Sequence, residues 1–397
     1  MDDKKLNSVP VYTDRRRSDS IKWDGLKQTF GREDLLPLWV ADMDFLSPEP
    51  VNKALKAATE AKVFGYFSPP EDYFKSFIAW EVSRHGYRVE REWLTAATGV
   101  VGSIYQLIQT LTSPGDPVIL LVPVYYPFMD AVKNTGRRLV VSELRCEGGR
   151  YSIDFDDFAA KVKNEGVKLF IHCSPHNPVG RVWRHEELES LIGICRESGV
   201  IIISDEIHHD IILPGYSHIP TATAGGYSDR VITLTSPSKT FNLAGFRNSL
   251  VIIENPELRR LYRRQCRESG AGSPGYLDYV AAHAAYTHGG EWLEELLRVI
   301  DSNYRLLRDT LSELDRLVIS ELEGTYLAWL DLGGYLEPGE IENFIMDKCG
   351  FAPDWGSWFF PGNNFPDTHI RINLATSPEN IAAAALRLRD EIKALLP

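Results

Sequence analysis

The sequence predicts an α/β fold: a large domain built on a mostly parallel sheet covered by helices, joined to a smaller α+β domain. Three observations predict it. The chain has 397 residues, too many for one compact core and enough for two of unequal size. Between about residue 95 and residue 255, short continuous apolar runs alternate with longer stretches of helical periodicity. Runs of that kind read as strands buried on both faces, the texture of a parallel sheet. After about residue 288 the texture changes to a long helical stretch, two β-type runs and a closing helix.

The strands expected in the large domain lie at residues 117–122, 138–142, 168–172, 200–204, 231–235 and 249–253. Helical patterns such as 103–111, 154–164 and 185–198 lie among these runs, which implies a largely parallel sheet covered on both faces. In the smaller domain the expected elements are a helix at 291–314, strands at 324–332 and 369–374, and a helix from Pro378. The boundaries that follow are 1–48 for an N-terminal segment completing the smaller domain, 49–288 for the large domain and 289–397 for the small one.

Composition narrows the function classes. Hydrophobic residues make up 44% and charged residues 25%, and 43 basic against 55 acidic residues give a net charge of −12. Apart from Arg15-Arg16-Arg17 there is no basic block, so nucleic acid is not an expected partner. The opening residues Met1 to Asn7 are polar, and no apolar run approaches the roughly 18 residues of a membrane helix. A soluble cytoplasmic protein is expected. Five cysteines, Cys146, Cys173, Cys195, Cys266 and Cys349, are an odd number at irregular intervals, which argues for free thiols over a disulfide framework.

Ligands of open α/β sheets bind outside the carboxyl ends of the strands. Three strand ends carry polar clusters there: His172-Cys-Ser-Pro-His-Asn177, Ser204-Asp205-Glu206-Ile-His208-His209, and Ser236-Pro-Ser-Lys239-Thr-Phe-Asn-Leu-Ala-Gly-Phe-Arg247. One edge therefore collects an amide, a carboxylate and an amine. A hydroxyl three residues before the lysine and a guanidinium eight after it can grip a phosphate while the amine forms an imine beside it. That combination suits pyridoxal phosphate (PLP): Lys239 for the aldehyde, Asp205 for the ring nitrogen and Asn177 for the ring hydroxyl. The phosphate is expected where Gly99-Val100-Val101-Gly102 opens a helix, with Ser236 and Arg247 completing its cradle. Tyr125 supplies an aromatic face, Tyr126 being the alternative. No metal is expected, because adjacent His208 and His209 cannot readily face one ion and no zinc spacing is present.

These fragments, with Leu38-Trp-Val-Ala-Asp-Met-Asp-Phe45, Phe64-Gly-Tyr66, Pro123-Val-Tyr-Tyr-Pro-Phe128 and His176-Asn-Pro-Val-Gly180, appear in an order that resembles the fold-type-I PLP enzymes over nearly the whole chain. Within that aspartate aminotransferase superfamily the chain is similar to the β-eliminating C–S lyases of the cystathionine β-lyase and maltose-regulon-modulator group. The resemblance implies Lys239 as the Schiff-base lysine and proton shuttle, and His208 where many aminotransferases place a tyrosine near the ring hydroxyl. It implies Arg371, in His369-Ile-Arg-Ile-Asn373, as the clamp on the substrate's α-carboxylate. It also implies that Tyr66 reaches the phosphate of a neighbouring subunit, hence a homodimer with shared sites. The implied reaction is β-elimination from L-cysteine S-conjugates, giving pyruvate, ammonia and a thiol. Arg247 departs from many C–S lyases, which carry an uncharged residue there, and matches the aminotransferases. An aminotransferase and a regulatory binding role therefore stay open.

Overall fold

The computed structural model describes residues 9–362 and 367–396, so the polar opening stretch at residues 1–7 lies outside the described residues. The large domain is built on a seven-stranded sheet. Its order is Leu94–Ala97, Ser249–Ile253, Val231–Thr235, Ile201–Asp205, Leu169–Cys173, Pro117–Val122 and Arg138–Glu143. The five strands from Val231–Thr235 to Arg138–Glu143 pair in parallel. Every residue of Pro117–Val122, Leu169–Cys173 and Val231–Thr235 is buried, which is why these runs are continuously apolar instead of alternating.

Two features differ from a purely parallel reading. Ser249–Ile253 runs antiparallel to both of its neighbours. Only a four-residue helix, Pro237–Thr240, interrupts the chain between it and Val231–Thr235, so there is no crossover helix to bring it back in parallel. Leu94–Ala97 is a further strand that the sequence reading missed; Leu-Thr-Ala-Ala is too short and too weakly apolar to stand out.

The smaller domain holds a four-stranded antiparallel sheet, ordered Val318–Ile319, Leu327–Asp331, His369–Asn373 and Asp354–Trp355. Helices Gly290–Leu311 and Pro378–Lys393 pack against each other beside it. The N-terminal residues join this unit. Leu36–Pro37 pairs in parallel with Phe351–Ala352, and Lys22 is buried in an ion pair with Asp44 at 2.8 Å.

Residues 38–45 tie the two domains together. The Asn373 amide donates to the carbonyls of Val40 and Asp42, both at 2.6 Å, from the small-domain sheet. From the large domain, the Asn242 amide donates to the carbonyls of Met43 at 3.0 Å and Phe45 at 2.8 Å. Asn242 holds φ +57°, a left-handed conformation that asparagine tolerates better than most residues. Among the described residues all five cysteines are free, and no helix is long and apolar enough to cross a membrane.

Candidate active site

A cavity of about 430 Å³ opens at the carboxyl ends of the central strands. Nine residues singled out in the sequence line it: Val100, Val101, Tyr125, Asn177, Asp205, His208, Ser236, Lys239 and Arg247. The strand ends explain the convergence. Asp205 is the last residue of Ile201–Asp205, and Ser236 directly follows Val231–Thr235.

Ser236 caps the short helix that carries the lysine, accepting from the Ser238 N–H at 3.1 Å and donating to the Asn248 carbonyl at 2.5 Å. Lys239 Nζ donates to the Ala41 carbonyl at 2.5 Å. Burial pushes the Lys239 amine down to about 8, against the attraction of Asp42 and Asp205. Asp205 accepts the Ile207 N–H at 3.0 Å. Burial outweighs that bond and lifts its carboxyl to about 7, the condition of a carboxylate that gains from a cationic partner.

Asn177 uses its side-chain oxygen to accept from Arg371 Nη1 at 2.9 Å. Its NH₂ group has no protein acceptor among the described residues and is available to the cavity. His208 is buried, its Nδ1 is without a partner among the described residues, and burial holds its ring neutral. Tyr326 lies across it at 5.8 Å in an edge arrangement. Tyr125 lines the cavity, whereas Tyr126 does not.

At the opposite end, helix Val100–Leu111 starts on Gly99 with no side-chain cap. Its first N–H groups therefore remain free for an anion. Gly99 has φ +129°, and a Cβ built on it or on Gly102 meets nothing within 4 Å, so this end of the cavity is open space. Arg247 sits exposed at the rim, with no ion pair or hydrogen bond to protein among the described residues. A free helix terminus, a hydroxyl and an unpaired guanidinium suit a phosphate. An amide donor, a lifted carboxyl, an aromatic ring and an amine of lowered basicity suit a pyridine aldehyde.

Arg371 lies behind Asn177 and is buried. Its Nη2 also donates to the Trp39 carbonyl at 3.2 Å and bonds the carboxylate of Asp354. Asp354 escaped the sequence reading, because nothing in Ala-Pro-Asp-Trp-Gly marks a carboxylate aimed at an arginine from a two-residue strand. Tyr66 stands apart: it is fully exposed and does not line the cavity of its own chain. The neighbours His208 and His209 diverge, the first toward the cavity and the second into a buried cluster with Glu81 and Asp210.

The family model for aminotransferase class I and II matches residues 33–388. Cystathionine beta-lyase PatB of Bacillus subtilis is 36% identical over 379 residues, covering 95% of this chain and 97% of that protein. Among solved structures, a PLP-bound putative aminotransferase from Clostridium difficile superposes with TM-score 0.93 at 36% identity, over 97% of this chain and 99% of that one. Cystalysin from Treponema denticola, whose structure contains pyridoxal 5'-phosphate, gives TM-score 0.92 at 35% identity, over 98% and 99%. The chain therefore belongs to the class I and II aminotransferase family of fold-type-I PLP enzymes, close to its cystathionine β-lyases and other C–S lyases.

Proposed function

We propose that this protein is a PLP-dependent β-lyase that cleaves L-cysteine S-conjugates of the cystathionine type, consuming water and releasing pyruvate, ammonia and a thiol. The observation that carries this reading is the distribution of positive charge. Lys239 and Arg247 are the only lysine and arginine among the described residues lining the cavity, and Arg371 stands behind Asn177. With Arg247 at the phosphate end and Arg371 for the α-carboxylate, no lysine or arginine of the wall remains for a carboxylate on the substrate's β- or γ-carbon. The part of the substrate side chain next to Cβ is thus uncharged where it meets the wall, which suits the thioether of an L-cysteine S-conjugate, whose charged end lies further out, and disfavours aspartate or glutamate.

When bound, the cofactor supplies a carbonyl for the substrate amine and a ring that accepts electrons from Cα. The chain's own residues do the rest. Arg371 orients the α-carboxylate, and Asn177 positions both Arg371 and the ring hydroxyl. Asp205 pairs with the protonated ring nitrogen. Lys239, whose amine is pushed down to about 8, removes the Cα proton as a general base working near its own pKa. Free backbone N–H groups at Val100 and Val101, with Ser236 and Arg247, hold the phosphate.

The active unit in this proposal is a homodimer. Val63, Phe64 and Tyr66 are 76%, 64% and 111% exposed on one loop, an apolar stretch that a second copy would cover while Tyr66 meets the phosphate of the partner's site. We further assign residues 49–288 to the cofactor-binding domain and 1–48 with 289–397 to the small one, and place the protein in the cytoplasm, where its free cysteines stay reduced.

The test is direct. Purified holoenzyme given L-cystathionine should release pyruvate and a thiol with no keto acid added. Product formation that depends on an added keto acid overturns the lyase reading in favour of transamination, the reaction to which Arg247 would point.

A further inference from the structure

Arg371 and Asp354 face each other across two antiparallel strands, directly opposite in register. Side chains so placed share one face of the sheet and touch. Both are buried, at 2% exposure, and the carboxylate bonds Nη2 of the guanidinium. The same Nη2 donates its other hydrogen to the Trp39 carbonyl, while Nη1 donates to Asn177 and Nε has no partner among the described residues.

A guanidinium offers a carboxylate two bidentate forks, one end-on through Nη1 and Nη2 and one side-on through Nε and Nη2. Both need Nη2, and both hydrogens of Nη2 are taken. An α-carboxylate can therefore be held bidentately only after Asp354 or the Trp39 carbonyl lets go. Asp354 is the side chain of the two, whereas the backbone on either side of Trp39 is held by bonds from the Leu38 N–H to the Ala352 carbonyl and from the Asn373 amide to the Val40 carbonyl. Once displaced, Asp354 cannot remain ionised at little cost, because it would lie buried beside a second carboxylate with one arginine between them.

Building on Arg371 as the carboxylate clamp of the reading above, we propose that Asp354 occupies the seat of the substrate's α-carboxylate, so that each substrate molecule displaces it and takes up one proton. The charged and titratable groups that act on Asp354 are Arg371 on the adjoining strand, Lys239 of the cavity, and the phenols of Tyr125 and Tyr126 from the segment before helix Pro127–Asn134. The two phenols stay neutral, since burial raises both. Burial also lifts the Asp354 carboxyl to about 6 although Arg371 and Lys239 pull it down. In the free enzyme Asp354 is therefore ionised above about pH 6. Coupled proton uptake then weakens substrate binding by about tenfold for each pH unit above that point, until the pKa of the complex is reached.

The experiment compares the pH profiles of wild type and Asp354→Asn holoenzyme for L-cystathionine. Asparagine keeps the shape and an oxygen for Arg371 but cannot take the proton. Between roughly pH 6 and pH 8, log KM of the wild type should climb about one unit per pH unit more steeply than that of the variant, which should bind more tightly at the alkaline end. Parallel profiles overturn the proposal, even where Asp354→Asn lowers the melting temperature, because a purely structural residue would do only that. Asp354→Ser carries the same expectation if the asparagine variant is insoluble. Should no pyruvate form, the lyase reading has failed, and the same two profiles, read from amino-acid binding through the cofactor's visible absorbance, still decide the role of Asp354.

Discussion

Thr240, the residue after Lys239, donates its hydroxyl to Asp210 at 2.8 Å. Asp210 lies five residues beyond Asp205, so one bond links the turn that carries the lysine to the loop that follows the carboxylate. Asp210 also accepts from Trp80 Nε1 at 3.0 Å and contacts His85 at 2.9 Å and His209 at 3.3 Å. Burial pushes Asp210 up, but His209 and His85 outweigh it and hold the carboxyl well below the ordinary range. The direction of the lysine thus rests on a buried carboxylate outside the cavity.

Replacing that carboxylate should be costly. Asp210→Ala leaves Trp80, Thr240 and His209, whose pKa its buried acidic neighbours raise to about 9, without their acceptor. Breaking a buried pair from one side typically costs about 3–5 kcal/mol. The urea midpoint should fall accordingly in both apo and holo protein. A change within the scatter of surface substitutions, about 0.5 kcal/mol, would show that Asp210 does not hold the turn.

The strand ends were legible in the sequence because their signals are local. Asp205, Asn177 and Lys239 each follow a run of apolar residues, and the sheet's topology does the gathering. Asp354 was not legible: its meaning comes from the register of a two-residue strand against His369–Asn373, and sequence spacing carries no register. The Ala41 carbonyl on Lys239 was hidden for a related reason, since a backbone acceptor has no residue type to read. The antiparallel strand Ser249–Ile253 looked like its parallel neighbours because burial on both faces erases the alternation that separates the two kinds.

The amine of Lys239 sets a pH dependence for cofactor loading. Only the neutral amine attacks an aldehyde, and burial brings it down from the ordinary 10.5 to about 8. Below that value the neutral fraction rises about tenfold per pH unit. Covalent capture of pyridoxal phosphate by apoprotein, followed by absorbance, should therefore speed up about tenfold from pH 6 to pH 7 and level off above about pH 8. Asp42 is the strongest of the groups opposing the shift, so Asp42→Asn should move the plateau to lower pH. A rate still climbing tenfold per unit past pH 9 contradicts the lowered basicity, and no capture at all is expected of Lys239→Ala.

Glu206 governs part of the acid limb of stability. It accepts from Ser204 at 2.8 Å and from the Thr221 N–H at 3.0 Å, and contacts His218 at 2.9 Å. Burial pushes Glu206 up, yet these contacts outweigh it and bring the carboxyl from the ordinary 4.5 down to about 2. A carboxyl depressed on folding stabilises the fold above its unfolded value and loses that contribution as pH falls toward the folded one. The shift corresponds to about 3 kcal/mol. Glu206→Gln should therefore lower the urea midpoint most near neutral pH, and its deficit should shrink below about pH 4.5. A deficit that is constant from pH 7 to pH 3 would assign the loss to packing alone.

Shared sites can be tested by mixing two inactive variants. Lys239→Ala lacks the amine in its own cavity, and Tyr66→Ala lacks the phenol that the homodimer reading sends to the partner's cavity. Each homodimer is impaired at both sites. In a mixed dimer, the cavity of the Tyr66→Ala chain keeps its own Lys239 and receives Tyr66 from the other chain, so one site is whole and the other doubly damaged. Random exchange makes about half of all dimers mixed, which restores about a quarter of the wild-type sites. Refolding the two variants together should return pyruvate release to roughly that level, above the sum of the separate preparations. If Tyr66 instead served its own chain, the Tyr66→Ala cavity would stay impaired in every pairing and mixing would return nothing.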